Sequence, residues 1–287
     1  MTITTQAQWF SAPRQRLYFM KPTTSGFATN YAMNLNRGSA TVPPCTTGQL
    51  PLSNATSGVI LTPSNFPGTY ALDPWGTNTG YIASIVVNNQ FSYSYPSVEP
   101  SCLYDVIYGV GPISLTSLGT TTLSGQPSLS GRIVGANGYE QLEMICEVCV
   151  ANGSNTTTLS VSYTNEAGVS GSTSGTISFA GTQAAAGTSQ RLTLQAGDRG
   201  VQQINSITVG GTASTAGSVN ILIARKLAMW SPADVNAVAL YRRKLVLNHE
   251  LLCMPQIFQN SCLVVQNGAK TASQLSLSSV VVTVVNG

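Results

Sequence analysis

Charged residues are scarce in this chain, and their scarcity narrows the possible classes of function. Only 8% of its 287 residues are Asp, Glu, Lys or Arg, about a third of the roughly 25% typical of soluble domains. The net charge of +3 is too small to indicate a nucleic-acid-binding protein. Hydroxyl and amide side chains replace the missing charges, and they lose little free energy when a partner covers them. This composition predicts a surface largely covered in an assembly, although adhesive extracellular proteins share it.

Long apolar runs are also missing. No stretch approaches the ~18 apolar residues needed to span a bilayer. The first residues, MTITTQAQWFSAP, lack the basic and apolar regions of a signal peptide. We therefore expect a chain that is made in a cytosol and has no membrane partner.

Residues for catalysis or metal binding are few. His249 is the only histidine, so a Ser-His-Asp triad would have to use it, and no serine lies in a GxSxG motif. Cys146 and Cys149 form the one CxxC, but residues three apart on a strand point to opposite faces and cannot share an ion. A glycosidase generally needs two carboxylates that converge on the substrate, and the sequence indicates no such pair. We predict free thiols, no metal, no cofactor and no enzymatic activity.

Alternating apolar and polar residues dominate the stretch 142–227. The pattern is clearest in Leu142–Val150 and in Leu159–Tyr163, and a period of two is typical of β-strands with one buried face. Turn residues separate such segments every ten to fifteen positions. The pattern predicts an all-β fold, either an antiparallel β-sandwich or a small barrel, and we favour a sandwich of jelly-roll type. The β-branched run Val280–Val285 predicts a further strand, which completes this sandwich or augments a neighbour's sheet.

Residues 1–72 differ from the rest because prolines interrupt every candidate element and no acidic residue precedes Asp73. We predict an extended arm that packs on its own domain or on a neighbouring copy. It is either an assembly arm that meets an acidic surface or an N-terminal strand with a few solvated charges. The candidate partner-binding residues of this arm are Trp9, Arg14, Arg16, Tyr18, Lys21 and Arg37.

Residues 73–230 form the predicted sandwich domain, and two of its features could serve a ligand. Phe91, Tyr93 and Tyr95 alternate along the chain, which is typical of a strand packed on a core but could also provide a sugar-stacking platform. Asp198 lies in a glycine-flanked turn and could bind an ion. We interpret this turn as structural, because a single carboxylate is a poor Ca²⁺ site.

Residues 231–287 carry the one predicted helix and the final strand. Ser231 is a suitable N-cap and Pro232 fits the first helical position, so we predict a helix from there to about residue 253. This helix would carry three basic residues, which either dock on an acidic partner or form a solvated face: Arg242, Arg243 and Lys244.

Several short motifs between residues 102 and 227 occur together. They are Leu103–Asp105 (LYD), Gly111–Thr116 (GPISLT), Ser160–Asn165 (SVSYTN), Leu194–Thr208 (LQAGDRGVQQINSIT) and Ile221–Arg225 (ILIAR). In this order they resemble a group of structural proteins from the virions of tailed bacteriophages. The resemblance covers under half of the chain and contains no catalytic signature.

The resemblance implies a non-enzymatic structural protein of a bacteriophage virion. Our first hypothesis is a capsid decoration (cement) protein, because an arm and a sandwich together can staple neighbouring capsomers. A neck, tail or fibre-attachment protein is the second hypothesis, and a carbohydrate-binding module is the rival from another class. The expected partners are capsid or tail proteins of the same particle and further copies of the chain, with a homotrimer favoured.

Overall fold

A computed structural model describes residues 5–22, 32–34, 52–76, 78–91, 101–180, 186–230, 242–248, 255–268 and 275–287. In chain order the elements are α1 (Gln6–Ser11), β1 (Arg14–Pro22), β2 (Ala32–Asn34), β3 (Asn54–Ile60), β4 (Gly80–Phe91), β5 (Ser101–Ser114), β6 (Gly119–Thr122), β7 (Leu142–Val150), β8 (Thr156–Asn165), β9 (Ser170–Thr173), β10 (Ile177–Ala180), β11 (Thr188–Leu192), β12 (Val201–Gly211), β13 (Ser218–Trp230), β14 (Arg242–Asn248), β15 (Gln256–Ile257), β16 (Cys262–Gly268) and β17 (Leu275–Asn286). Short 3₁₀ turns lie at Ser130–Arg132 and Gly138–Gln141. No helix among these residues is long and apolar enough to cross a membrane.

The strands form three antiparallel sheets, and the prediction of an all-β antiparallel sandwich is confirmed. Sheet A has the order β1-β17-β4-β14, with β15 beside β4. Sheet B has the order β13-β7-β11-β2-β16-β5-β3, and it closes on itself because β13 also pairs with β5. Sheet C has the order β10-β8-β12-β6, with β9 beside β8. The sequence pattern predicted a single pair of layers, whereas sheet B packs against two other sheets.

Two long strands of sheet B contact both of the sheets against which sheet B packs. β5 has 14 residues and β13 has 13, so each extends past one sheet and reaches the next. Ile107 and Ile223 belong to the first core, which lies between sheets B and C. Leu103 and Leu227 belong to the second core, which lies between sheets B and A. A third core, which includes Tyr104, covers the opposite face of β5.

The N-terminal segment contributes a strand to its own domain. β1 pairs with β17 from Arg14 opposite Val285 to Pro22 opposite Leu277. Leu17 and Phe19 are each 1% exposed and belong to the second core. β17 lies between β1 and β4, so the predicted final strand is confirmed and completes a sheet of its own chain. The division of the chain at residues 72 and 230 stays a prediction.

The predicted C-terminal helix is wrong for the part of it that the structure describes. Arg242–Asn248 is strand β14, and it pairs with β4 from Arg242 opposite Gln90 to Asn248 opposite Ser84. Ladder hydrogen bonds to a neighbouring strand override the local helix propensity of this segment. Residues 231–241 and 249–254 lie outside the described residues. The α-helix that the structure describes is α1, which Thr5 caps near the N-terminus.

Candidate functional site

Two of the sequence-predicted partner-binding residues serve the fold itself. Trp9 is half-buried on α1 and packs against the cluster that contains Ala83 and Val285. Arg14 donates a hydrogen bond of 2.6 Å to the Trp9 carbonyl, and its guanidinium carbon lies 5.3 Å from the centre of the Trp9 ring. These contacts attach α1 to sheet A.

The remaining predicted residues do not form one patch. Arg16 and Tyr18 are exposed on β1, and Lys21 lies near the end of the same strand. The triplet Arg242–Lys244 lies on β14, at the opposite edge of sheet A, with β17 and β4 in between. Arg37 lies outside the described residues, as do Tyr93 and Tyr95 of the predicted aromatic stripe. Partner binding by these residues stays a prediction.

A fully buried carboxylate on β5 binds two buried arginines. Oδ1 of Asp105 lies 2.8 Å from Nη2 of Arg132, and Oδ2 lies 3.4 Å from Nη2 of Arg225. The Ser261 hydroxyl donates to Oδ2 over 2.7 Å, and the Cys262 backbone N–H donates to Oδ1 over 3.0 Å. We call Asp105, Arg132 and Arg225 the buried charge node.

The buried charge node joins the first and second cores. Asp105 lies on β5 between Leu103 of the second core and Ile107 of the first. The guanidinium groups of Arg132 and Arg225 lie 5.8 and 5.5 Å from the centre of the Phe258 ring, a distance typical of cation–π contact. Burial lowers the pKa of Arg225, although Asp105 opposes the shift. The node is enclosed by the cores, and Arg225 also donates to the Gln256 carbonyl on β15, which links sheet B to sheet A.

This node was not predicted from the sequence, although the sequence contains a signal for it. Asp105 and Arg225 each interrupt a run of apolar residues on a strand that predicts burial on both faces. A buried charge needs a partner of opposite sign. Two such interruptions of opposite charge therefore indicate an ion pair. Both residues also lie in motifs that carry the resemblance to phage virion proteins.

Asp198 has the predicted structural role, although its partners are side chains. The Tyr163 hydroxyl donates to Oδ2 of Asp198 over 2.6 Å, and the Asn165 amide donates to Oδ1 over 2.8 Å. Asn165 also accepts from the backbone N–H groups of Ala167 and Val169. Burial and the neighbouring carboxylate raise the pKa of Tyr163 to about 12. These bonds tie the turn after β8 to the turn that holds Asp198.

Replacing Asp198 is expected to make stability less dependent on pH. The hydrogen bonds from Tyr163 and Asn165 hold the pKa of Asp198 below its ordinary value of 3.8. A carboxylate with a lowered pKa stabilises the fold above that value, and the contribution is lost as the pH falls. Asp198→Asn should therefore lower the free energy of unfolding by about 1 kcal/mol at neutral pH, and the loss should shrink in acid. Urea unfolding over a pH series measures this, with the exposed Asp73→Asn as the control; an equal loss at every pH would contradict it.

The outer face of sheet C is covered with hydroxyl groups. The inward residues Leu159, Val161 and Tyr163 pack in the first core, so the alternate positions point outwards. The outward positions, which we call the hydroxyl face, are Thr120, Thr122, Thr158, Ser160, Ser162, Thr164, Thr173, Ser178, Ser206 and Thr208. All of them are exposed or half-buried. The alternation in Leu159–Tyr163 predicted this division of the two faces.

Strand pairing aligns these hydroxyls in rows across the sheet. Thr208 lies opposite Thr120 on one side and Ser160 on the other. Ser206 likewise lies between Thr122 and Ser162. The hydroxyls of Thr120 and Thr208 are 2.9 Å apart, within hydrogen-bond distance. Neighbouring strands in a sheet are about 4.8 Å apart, so hydroxyls on adjacent strands follow one another at about this spacing.

The hydroxyl face carries no charge, since none of the five strands of sheet C contains a charged residue. Covering neutral hydroxyls costs far less than covering unpaired charges, and each hydroxyl can both donate and accept a hydrogen bond. Two copies of such a face meet without like-charge repulsion. Its chemistry therefore suits contact with another protein surface, including a second copy of itself.

Charged side chains occur elsewhere, and several of them form ion pairs. Nζ of Lys226 lies 2.6 Å from Oε1 of Glu143, and Nη1 of Arg191 lies 3.0 Å from the same oxygen. Burial alone would raise the pKa of Glu143, but Lys226 and Arg191 outweigh it and the pKa is lowered. Arg199 likewise lies 2.9 Å from Glu140.

The four cysteines that the structure describes occupy buried positions. Cys102, Cys146, Cys149 and Cys262 are buried free thiols, as the sequence predicts for the CxxC pair. Burial, which is the largest effect, and the charge of Glu147 raise the pKa of Cys146, so its thiol is poorly reactive. Within the described ranges, no group of three or more His, Cys, Asp or Glu residues could hold a metal ion.

Comparison with known proteins gives no family. No protein-family model matches the chain, and no curated protein matches it. Among solved structures, a VP2 subviral particle of infectious bursal disease virus is 10% identical, with a TM-score of 0.19 over 96% of this chain and 81% of that chain. T=1 particles derived from infectious bursal virus are 8% identical, with a TM-score of 0.20 over 96% and 78%. At TM-scores this low, these likenesses support no inference about the fold or function of this chain.

Proposed function

We propose that this chain is a non-enzymatic structural protein of a virus particle and that it associates with further copies of itself through the hydroxyl face. The single observation that carries the proposal is the uncharged, hydroxyl-covered outer face of sheet C. An enzyme or a binding protein for charged ligands would need polar groups that converge on a site. The hydroxyl face instead offers an uncharged surface that extends across several strands, which suits contact between identical subunits.

Within this class we propose a capsid decoration protein of a tailed bacteriophage, with a neck or tail protein as the alternative. Two observations support this proposal. The motifs in residues 102–227 resemble those of phage virion proteins, and several residues of these motifs contact one another in the folded chain. Asp105 and Arg225 meet in the buried charge node, and Tyr163, Asn165 and Asp198 meet at the turns beside sheet C. Both sets stabilise the sandwich, as motifs of a structural protein should.

Placing negative charge on the hydroxyl face is expected to disrupt self-association. In the double variant Ser162→Glu/Thr208→Glu, each contact between two such faces would bring like charges together. Juxtaposed like charges at an interface cost several kcal/mol, so the dissociation constant of the oligomer should rise at least about tenfold. Analytical ultracentrifugation of the full chain measures this constant.

The matched control is Ser64→Glu. Ser64 is exposed in the turn between Leu61 and Phe66, whose side chains belong to the third core on the other side of sheet B. Circular dichroism should show that both variants keep the β fold. Unchanged association of the double variant, or equal weakening by Ser64→Glu, would contradict the proposed interface.

A further inference from the structure

A cavity of about 250 Å³ opens where sheets B and C meet. Its floor is formed by Tyr108, Leu129 and Ile223, which are buried members of the first core. Its walls are formed by Gln126, Pro127, Ser128, Tyr139, Gln202 and Gln203. The cavity thus combines an apolar floor with neutral polar walls, and its accessible lining is more polar than that of most small-molecule sites.

Hydrogen bonds within the protein hold several lining groups in place. The Tyr108 hydroxyl lies 3.0 Å from the Ser57 carbonyl and 3.1 Å from Oε1 of Gln126, and its single proton serves one of these acceptors at a time. The amide of Gln126 donates to the Ile204 carbonyl. The amide of Gln202 donates to the Glu166 carbonyl over 2.8 Å. A glutamine amide has two N–H donors and a carbonyl acceptor. Each of these two glutamines therefore keeps one N–H for a ligand, and it offers that group from a fixed position, which lowers the entropic cost of binding.

The lining excludes charged ligands. All nine lining residues are uncharged at neutral pH, and a charge placed on an apolar floor without a partner is costly. The cavity is small, at about 250 Å³, which suits a ligand with the size of a single ring. A ligand that fits must be small and neutral, with an apolar face and several hydroxyl groups.

We propose that this cavity binds one neutral sugar ring. The hydroxyls of the sugar would meet the amides of Gln126, Gln202 and Gln203 and the hydroxyl of Tyr139, while the C–H face of the ring would lie on the apolar floor. The cavity uses none of the residues that define the hydroxyl face. This proposal therefore stands apart from the proposed assembly function, and either one can fail alone.

Ligand-observed NMR with the full chain tests the proposal. The probes are the methyl glycosides of glucose, galactose and N-acetylglucosamine, compared with glucuronic acid and N-acetylneuraminic acid. A single ring making a few hydrogen bonds should bind with a dissociation constant on the order of 1 mM, and the two acids should bind at least about tenfold more weakly. Tyr139→Phe removes one hydroxyl and should weaken binding by roughly three- to tenfold.

The control is Tyr18→Phe, which removes an exposed hydroxyl on sheet A and should leave binding unchanged. An oligosaccharide that ends in the preferred sugar distinguishes two sources of the ligand: tighter binding than the methyl glycoside indicates a glycan end, and equal binding indicates a free sugar. Three results would overturn the proposal. They are no saturation by any neutral sugar up to ~50 mM, equal affinity in Tyr139→Phe, and preference for an acidic sugar.

Discussion

Asp105→Asn is expected to lower the free energy of unfolding by about 3–5 kcal/mol, the largest loss we expect from any isosteric change in this chain. The substitution keeps the size of the side chain and removes its negative charge. Arg132 and Arg225 would then remain buried without a counter-ion, and the bonds from Ser261 and Cys262 would lose a charged acceptor. Equilibrium unfolding in urea measures the loss.

A surface ion pair provides the control for this substitution. Glu140 pairs with Arg199, whose side chain is 67% exposed. Exposed pairs contribute about 0–1 kcal/mol, so Glu140→Gln should change stability by no more than that. If Asp105→Asn costs no more than Glu140→Gln, the buried charge node does not hold the two cores together.

Phe19→Ala is expected to destabilise the chain by about 3–5 kcal/mol. The side chain is 1% exposed and lies in the second core with Leu17 and Val280. Its removal leaves a cavity between sheets A and B, because β1 is anchored by its pairing with β17 and cannot move in to fill the space. Thermal or urea unfolding of the native chain and of the Phe19→Ala variant measures the difference in stability.

The adjacent residue is a matched control. Tyr18 is also aromatic but is 56% exposed on the other face of β1, so Tyr18→Ala should cost less than about 1 kcal/mol. The comparison also separates the two hypotheses for the N-terminal segment. If Phe19→Ala leaves unfolding unchanged but abolishes self-association, β1 is an arm that packs on a neighbouring copy rather than a strand of its own core.

The strand pattern could be predicted wherever one face of a strand is buried and the other is wet. In β8, Leu159, Val161 and Tyr163 alternate with Ser160 and Ser162, and that local pattern alone defines the buried and outward faces. The outward face was therefore predictable position by position. Its continuation across β12 and β6 depends on strand pairing, which the sequence pattern does not reveal.

The predictions from the sequence fail where residues or strands that are distant in the chain come together. Arg225 and Asp105 are 120 positions apart, and nothing local brings them together. β1 pairs with β17 although the two strands lie at opposite ends of the chain. The helix prediction across Arg242–Asn248 relied on a local start signal, whereas pairing with β4 decides the conformation of that segment. Local signals compete poorly with a ladder of hydrogen bonds inside a sheet.

The central claim is that this chain functions as a self-associating particle subunit. Multi-angle light scattering of the purified full chain, over a range of concentrations, tests it most directly. The account predicts a mass of at least two 30.0 kDa chains, and dissociation when Ser162 and Thr208 are replaced by glutamate. A mass of one chain at every concentration, for the native sequence, would contradict it.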